Sequence, residues 1–389
     1  MQKTVLTIFG IFLFACIAAC SSSGTTSTPV AVYDLPTGFA PYSSSKPHLM
    51  GGSIQGGTIS AKFSNYSVST LAGTAGSAGG FSNYSSTSST KAKFNQPNEI
   101  TFDGINLYVA DYGNNAIRQV TPLGVVKTLP IGFINRPSGI TSDGTNLYVV
   151  ANGSNTVSII AKNTWTVDTI GSTTGLAGSI DSTTPADVRF NQPTGITTDG
   201  VNLYVTDSGN HTVRRIVIAT KAVSTLAGNS GLFGSSDGVQ GAALFYLPWR
   251  ITTDGSKLYL SDFRNHTIRQ IDILTGLVTT IAGSPGPLGH DSASADGDGT
   301  AARFNQPNGI TTDGTFLYVT DSYENTLRKI NKTAPYTVTT IPVPGGLLTP
   351  IGITTDGTSL FVTDTYTVYR DPKTYVDTYS YSNSILKLQ

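Results

Sequence analysis

Six copies of one sequence unit follow each other along the chain, and this repetition constrains the fold more than any other feature. The clearest copy starts at Phe190 and reads FNQPTGITTDGVNLYVTDSGNHTVRRI. A proline near the start of each copy recurs at intervals of 40 to 59 residues, at Pro97, Pro137, Pro193, Pro248, Pro307 and Pro350. Repeats of this length indicate an array of small structural units that bury their apolar faces against their neighbours.

Each copy is predicted to form four short strands. Strand a is the GITT segment, and the Asp-Gly pair that follows it is a strong hairpin signal. Strand b is NLYVTD, strand c is TVRRI and strand d is VSTLAG. Four-stranded units that repeat around an axis make a propeller, so we expect an all-β, six-bladed β-propeller.

The two ends of the repeat array are expected to complete one blade. The last copy ends at residues 385–389 with its strand c and has no strand d, whereas a spare strand d, Tyr66–Gly73, precedes the first copy. Pairing them would remove two exposed strand edges, which otherwise invite aggregation. We therefore expect the N-terminal strand to close the ring and the propeller to span residues 63–389.

The units resemble NHL repeats. The resemblance lies in the FNxPxGI opening, the LYVTD strand, the Asn-His pair at residues 210–211 and 265–266, and the VSTLAG close. It covers residues 66–389 and implies an NHL-type propeller. WD repeats lack support because Trp-Asp and Gly-His pairs are missing at the required places. The YWTD repeat is the nearest competitor, but it does not explain the FNQPxGI opening.

The N-terminus is predicted to be a targeting signal. Lys3 precedes an apolar run that is too short to span a bilayer in the usual way, and Ile17-Ala18-Ala19-Cys20 resembles a bacterial lipobox. The resemblance implies a signal peptide over 1–19, a lipid on Cys20 and attachment to the membrane; an ordinary signal peptide with a chance cysteine is the alternative. Residues 20–62, rich in Ser, Gly and Thr, are expected to be a flexible tether.

The resemblance to lipoprotein sorting also suggests an address. Ser21 follows the cysteine, which in Gram-negative bacteria favours the outer membrane, so we expect a lipid-anchored protein of the cell envelope. The chain has a formal net charge of +0 and only 12% charged residues, which argues against nucleic acid as a partner. Both cysteines lie in the first twenty residues, so a disulfide or a cysteine metal site in the folded part is excluded.

One position of strand a departs from the repeat in two blades. Four copies have glycine before the isoleucine of strand a, but blade 1 has Glu99 and blade 4 has Arg250. Blades 1 and 4 are opposite in a six-bladed ring, so both side chains should face each other at the mouth of the channel. They could pair, tolerate exposure or clamp a small polar ligand. The candidate ligand-binding residues are Glu99, Arg250, Trp249, Asn98 and Asn308.

Other polar residues recur in ways that favour structure over chemistry. An Asp that ends strand b and an Arg in strand c occur together in four blades, which predicts a structural ion pair. His211 and His266 share one repeat position, and a three-histidine metal site would need a third. Residues 291–299 contain Asp291, Asp296 and Asp298 and could hold Ca²⁺, although the usual terminal Glu is missing. We expect no other cofactor.

The segments between the strands carry the variable material. Long glycine-rich spacers occupy 74–93, 171–189, 229–244 and 284–303, on the face that also holds the b-to-c loops. Blade 6 adds a long b-to-c loop with five tyrosines, which either contacts a partner or packs on its own blade: Tyr366, Tyr369, Tyr375, Tyr379 and Tyr381. Variable loops on a rigid scaffold are where function usually lies.

Two classes of function fit these features. The first is a non-enzymatic binding or scaffolding module whose loop-rich face engages a protein, peptide or glycan. The second is a propeller hydrolase or lyase with a divalent metal in the central channel, a resemblance to such enzymes that rests on blade count alone. The short supply of histidine and glutamate favours the first, and we predict no catalytic residues.

Overall fold

The computed structural model describes residues 67–73, 92–285, 294–370 and 377–389, with 366–370 and 377–382 described in backbone only. The predicted signal peptide 1–19, the predicted tether 20–62 and Cys20 therefore lie outside the described residues. Within these ranges no helix combines the length and the apolar character needed to cross a membrane.

The described residues form a six-bladed β-propeller in which each blade is an antiparallel sheet with the strand order a-b-c-d. The innermost strands a are Pro97–Phe102, Pro137–Ser142, Pro193–Thr198, Pro248–Thr253, Pro307–Thr312 and Pro350–Thr355. Strands b are Leu107–Asp111, Asn146–Ala151, Asn202–Asp207, Lys257–Asp262, Phe316–Asp321 and Leu360–Arg370. The prediction of the strands from the repeat is confirmed.

The outer half of each blade follows the same order. Strands c are Ala116–Val120, Thr156–Ala161, Thr212–Val217, Thr267–Asp272, Thr326–Asn331 and Asp377–Leu388. Strands d are Val126–Thr128, Val167–Ile170, Val223–Gly228, Leu277–Ala282, Thr337–Ile341 and, for blade 6, Val68–Ala72. Short 3₁₀ turns are Tyr112–Asn114, Asn152–Ser154, Pro185–Asp187, Ser208–Asn210, Gln240–Ala242 and Gly299–Ala301.

The N-terminal strand closes the ring as predicted. Val68 pairs with Leu388 and Thr70 pairs with Leu386 in an antiparallel register, so Val68–Ala72 forms the outer strand of blade 6. Ser67 and Gln389 extend the pairing, because each donates its backbone N–H to the other's carbonyl oxygen. The first and last described segments of the propeller therefore share one sheet.

The apolar core lies between the blades. Six buried clusters occupy the six seams, and each combines residues of two adjacent blades. At the closing seam, Phe361 and Ile385 of blade 6 pack with Phe94 and Ile100 of blade 1. Each strand a also contacts the strand a of the next blade, so the inner strands surround one channel.

The tyrosine-rich insertion of blade 6 is not a loop, which corrects the prediction. Strands b and c continue as a β-ribbon in which Tyr366 pairs with Tyr381 and Val368 pairs with Tyr379. Tyr369 lies in the same ribbon, opposite Thr378, and Tyr375 lies outside the described residues. The segment is rich in tyrosine, threonine and valine, residue types that favour strands.

Two of the glycine-rich spacers add a fifth, outer strand. Gly238–Val239 pairs with strand d of blade 4, and Gly297–Asp298 pairs with strand d of blade 5. These spacers were predicted to be variable functional loops, but part of each is scaffold.

Candidate functional site

The third residue of strand a is glycine in four blades because the next blade leaves no room for a side chain. A Cβ atom added to Gly309 would lie 2.3 Å from the carbonyl oxygen of Ile351 in blade 6. One added to Gly352 would lie equally close to the carbonyl oxygen of Asn98 in blade 1. The sequence pattern thus records a close approach of neighbouring inner strands.

Glu99 and Arg250 break this pattern and meet across the channel. Arg250 Nε lies 2.6 Å from Glu99 Oε2, so the two residues form an ion pair between opposite blades. Pairing, one of the three predicted alternatives, is therefore the arrangement in the structure. Glu99 is 8% exposed and Arg250 is 1% exposed, so the ion pair is buried.

Smaller residues in strand b accompany the two large side chains in strand a. In blades 3, 5 and 6 a threonine of strand b accepts a hydrogen bond from the backbone N–H of the strand-a glycine, at 2.7 Å in each blade. The equivalent residues are Ser261 in blade 4 and Ala110 in blade 1. Glycine and threonine are therefore replaced together in the blades that carry Arg250 and Glu99.

Further polar contacts fix the ion pair in place. Arg250 donates hydrogen bonds to the carbonyl oxygen of Thr194 and to Asn98 Oδ1. Burial raises the pKa of Glu99 to about 7, although Arg250 and the backbone N–H groups of Ile100 and Ile353 oppose the rise. The carboxyl group thus changes its charge near neutral pH.

Blade 4 carries stacked aromatic side chains beside this ion pair. The rings of Trp249 and Phe263 are stacked with centroids 5.1 Å apart, and those of Phe233 and Tyr246 are stacked at 4.6 Å. We call these four residues the aromatic rim. Phe233 is 61% exposed and the other three are half-buried. The guanidinium of Arg250 lies 6.0 Å from the centroid of the Trp249 ring, which connects the rim to the channel.

Two polar atoms at the channel mouth have no hydrogen-bond partner among the described residues. They are Trp249 Nε1 and Asn308 Oδ1, and both are buried. Asn308 is 4% exposed as a whole residue. Buried polar groups are nearly always satisfied in folded proteins, so an unsatisfied pair at one place needs an explanation.

A cleft opens on the same face beside blade 1. It has a volume of about 490 Å³ and lies where the entry to strand a and the b-to-c turn of blade 1 meet the entry to blade 2. Its lining is rich in amide groups: Asn95, Gln96, Tyr112, Gly113, Asn115, Asn135 and Arg136. Blade 1 and blade 4 therefore each contribute a distinct surface to the loop-rich face.

The recurring Asp and Arg form buried ion pairs in four blades, as predicted. The pairs are Asp111–Arg118, Asp207–Arg214, Asp262–Arg269 and Asp321–Arg328, with nitrogen–oxygen distances of 2.9, 2.7, 2.7 and 3.1 Å. Each aspartate also accepts a backbone N–H from the segment that leads into strand a. Each arginine packs over the phenylalanine of that segment. The pairs thus fasten each blade to its incoming spacer.

A second aspartate completes this network in three blades, and the sequence reasoning missed it. Asp181, Asp237 and Asp296 each contact the strand-c arginine of blade 3, 4 or 5. A signal existed, because Asp237 and Asp296 both lie eight residues before the phenylalanine that opens their repeat. Blade 2, which has Ala151 and Ser158 at the two main positions, lacks the pair.

His211 and His266 hold neighbouring blades together. Their Nδ1 atoms accept the backbone N–H groups of Leu247 and Gln306 in the next blade, at 3.2 and 3.1 Å. At the equivalent positions, Asn115 Oδ1 and Asn155 Oδ1 accept the backbone N–H groups of Arg136 and Gln192 in the next blade, at 2.8 and 2.7 Å. The shared repeat position is therefore a seam contact.

The acidic segment before blade 5 is partly engaged in the scaffold. Asp296 contacts Arg328 and Thr340, and Asp298 accepts a hydrogen bond from Thr337 Oγ1. His290 and Asp291 lie outside the described residues, so the calcium site stays a prediction. In the part of the chain that the structure describes, three or more His, Cys, Asp or Glu side chains do not come together as a metal site.

The repeat is recognised independently by family comparison. Residues 190–216, the third copy, match the NHL repeat family. One copy of the repeat thus matches the NHL repeat family. The NHL copy at 190–216 contains the Asp207–Arg214 pair and His211, so the residues of the family pattern coincide with the scaffold contacts described above.

Curated proteins match the chain over part of its length. A chloroplastic protein of Arabidopsis thaliana, SUPPRESSOR OF QUENCHING 1, is 31% identical over 40% of this chain and 16% of its own length. NHL repeat-containing protein 2 of Bos taurus is 32% identical over 38% of this chain and 22% of its own length. The chain therefore spans about a fifth of the length of these curated relatives.

Solved structures share the fold of this chain at low sequence identity. A Bacteroides thetaiotaomicron protein of unknown function has a TM-score of 0.59 at 20% identity, covering 83% of this chain and 76% of that one. An auxiliary nutrient binding protein of Bacteroides ovatus has a TM-score of 0.57 at 15% identity, covering 84% and 76%. At this identity the likeness shows the fold alone.

Proposed function

We propose that this NHL propeller is a non-enzymatic binding or scaffolding module whose loop-rich face engages a protein, peptide or glycan. The observation that carries the proposal is the joint departure of blades 1 and 4 from the repeat at the channel mouth. In the other four blades the third residue of strand a is glycine. Blades 1 and 4 instead bring Glu99 and Arg250 together beside the aromatic rim.

Residues that the fold requires recur from blade to blade, whereas residues that it does not require differ between blades. The Asp–Arg pairs, the strand-a glycines and the seam contacts recur from blade to blade because every blade must meet its neighbours. Among the residues that the structure describes, an ion pair across the channel appears once, and that repetition does not require it. Buried unpartnered polar atoms beside exposed aromatic rings are typical of ligand sites. The name of the Bacteroides ovatus neighbour, a nutrient binding protein, supports a binding function on this fold.

The proposed address is the cell envelope, through a lipid on Cys20, with the outer membrane of a Gram-negative bacterium as the specific membrane. A lipid tail combined with a tether would place the loop-rich face within reach of envelope partners. Growth with an alkyne analogue of palmitate should label the full chain, and Cys20→Ser should abolish the label. An unlabelled wild-type chain that leaves the membrane fraction would contradict the anchor.

The binding function is tested by retention of envelope components on the purified full-length chain. We expect a partner that is retained by the wild type and lost from the double variant Glu99→Gly/Arg250→Gly, which gives blades 1 and 4 the glycine of the other blades. A second variant without 366–382 tests the tyrosine ribbon as an additional contact. Both variants must melt as folded proteins for the result to count.

The enzyme alternative makes a separate prediction. A hydrolase or lyase with a channel metal would purify with one tightly bound divalent ion per chain. Elemental analysis of the purified protein measures this ratio directly, and a stoichiometric metal would overturn the non-enzymatic proposal.

A further inference from the structure

Blade 4 has aromatic residues at three repeat positions where most blades are polar. Tyr246 takes the place of an asparagine that precedes strand a in blades 1, 2, 3 and 5. Trp249 replaces Asn98, Ser138, Thr194 and Asn308 at the second residue of strand a. Phe263 replaces the serine that opens the b-to-c turn in blades 3 and 5. In those blades that serine donates a hydrogen bond to a proline carbonyl of the next blade, so blade 4 gives up a repeated contact to carry a ring.

The rings form two stacked pairs at the channel mouth. Trp249 and Phe263 are nearly parallel, with an angle of 28° between their planes, and Phe233 and Tyr246 are at 26°. The two pairs are held side by side, because the N–H of Arg264, next to Phe263, donates to the carbonyl oxygen of Tyr246. Flat, half-buried aromatic surfaces of this kind present apolar faces with polar atoms only at their edges.

The unpartnered atoms beside the rings require a ligand that can both donate and accept hydrogen bonds. Trp249 Nε1–H is a donor and Asn308 Oδ1 is an acceptor, and neither has a partner among the described residues. A hydroxyl group offers one donor and two acceptor lone pairs, so it could satisfy either atom. An apolar peptide side chain on the rings would leave both atoms unsatisfied.

The guanidinium of Arg250 already has hydrogen-bond acceptors within the protein. Arg250 is paired with Glu99, and its remaining contacts are to a carbonyl oxygen and an amide oxygen. A charged ligand would have to displace a buried ion pair, whereas a neutral ligand would not. The site therefore favours a molecule with several hydroxyl groups, an apolar face and no charge.

We propose that the aromatic rim of blade 4 binds a neutral carbohydrate. A sugar ring stacks its C–H face on the Trp249–Phe263 pair, and its hydroxyl groups meet Trp249 Nε1–H and Asn308 Oδ1. The proposal rests on the binding function proposed above and names its ligand class. Peptides and acidic sugars are the other outcomes of the test.

The chain offers a direct optical test because it has only two tryptophans. Trp165 lies in the c-to-d turn of blade 2, on the opposite face of the propeller. The Trp165→Phe variant of the full chain leaves Trp249 as the sole tryptophan. We expect neutral oligosaccharides, with cellohexaose, mannohexaose and laminarihexaose as the probes, to change its fluorescence in a saturable way. An oligogalacturonate and a random peptide pool serve as the acidic and peptide probes.

A variant based on the neighbouring blades separates binding from folding. Phe263→Ser installs the residue that blades 3 and 5 carry, and we expect it to weaken binding of the best neutral probe at least 10-fold in calorimetry. Trp165→Phe alone should bind as the wild type does. Melting curves verify that Phe263→Ser is folded; if it is not, Asn308→Ser, which removes the amide and installs the residue that blade 2 carries as Ser138, replaces it with the same expectation.

Each remaining outcome overturns the carbohydrate proposal. Binding of only the oligogalacturonate or the peptide pool would do so, as would neutral binding that Phe263→Ser and Asn308→Ser leave unchanged. A lack of any fluorescence change at millimolar neutral sugar would do so as well. In each of these cases the binding function still stands if the Glu99→Gly/Arg250→Gly variant loses a retained envelope partner, so the two failures are distinguishable.

Discussion

Blades 4 and 5 are neighbours built from one repeat, and they use the same buried network with different rims. In both blades the aspartate of the pair, Asp262 or Asp321, accepts a backbone N–H from the segment that leads into strand a. The arginine of each pair contacts two spacer carbonyl oxygens and a spacer aspartate. At the channel mouth blade 4 has Trp249, Arg250 and Phe263, where blade 5 has asparagine, glycine and serine.

The difference separates two kinds of residue within one repeat. The Asp–Arg network differs little between these blades because each arginine contacts both its spacer and the aspartate of strand b. The residues at the channel mouth can differ between blades because a substitution in the same blade compensates for each change. Blade 4 has Ser261 beside Arg250, where blade 5 has Thr320 beside glycine. Stability is therefore expected to depend on the shared residues, and binding on the residues that differ.

The largest expected effect comes from breaking the ring that supports both blades. Deletion of residues 63–73 removes strand d of blade 6 and exposes Phe361 and Ile385 of the closing seam. We expect the cooperative thermal transition to be lost, measured by circular dichroism. Deletion of 24–62, within the predicted tether, is the control and should leave the melting temperature unchanged. A 63–73 deletion that melts like the parent would refute the closure by this strand.

The next effect tests the shared network in blade 4. Arg269→Met leaves Asp262 buried without its counter-ion, and we expect a loss of about 3–5 kcal/mol in the free energy of unfolding. The double variant Asp262→Ala/Arg269→Ser copies blade 2, which has neither charge, and should recover at least part of that loss. Denaturant titration measures both. A double variant less stable than Arg269→Met would show that the network matters for more than charge balance.

The third effect concerns the ion pair that belongs to blades 1 and 4 alone. Burial raises the pKa of Glu99 from 4.5 to about 7, so the folded protein holds this proton more tightly than the unfolded chain does. The group's contribution to stability is therefore complete below pH 4.5 and decreases as the pH rises through 7. Between pH 5 and 8 we expect the wild type to lose about 2 to 3 kcal/mol relative to Glu99→Gln. Parallel pH curves for the two proteins would contradict the raised pKa.

The smallest effect sharpens the comparison at the seam between blades 3 and 4. His211→Asn installs the residue that blades 1 and 2 use for the same contact, so we expect a change of less than about 0.5 kcal/mol at pH 8. Burial lowers the pKa of His211, which means that acid favours the unfolded chain. At pH 5 the variant should thus be the more stable of the two. His211→Phe, which removes the acceptor, is the control and should be about 1 kcal/mol less stable than His211→Asn at either pH, because neither residue titrates.

The fold could be predicted from the sequence because several independent features of the repeat agree. Six prolines, six Asp-Gly turns and a spare strand at Tyr66–Gly73 agree on strand order, blade number and closure. The Glu99–Arg250 contact was accessible for the same reason, since counting blades places them opposite each other. These inferences need only the periodicity of the chain.

The rest of the site depends on contacts that the repeat does not encode. The aromatic rim requires Phe233, from a spacer, to stack on Tyr246, and no spacing rule predicts that pair. The burial of Arg250 depends on how closely the inner strands of six blades approach. The ribbon of blade 6 was missed because an insertion without Gly or Pro at its start was assigned to a loop by position instead of by its strand-forming residues.

The strand Val68–Ala72 has a consequence for the order in which the protein is made. It is the first strand of the propeller to leave the ribosome, yet its partner, Asp377–Leu388, is the last. Until residue 388 has been synthesised, this strand lacks its pairing partner and the seam between blades 6 and 1 stays open. Closure is thus the contact of longest sequence separation in the domain, and such contacts form slowly. We expect the growing chain to need protection at its N-terminal strand for the whole time of synthesis.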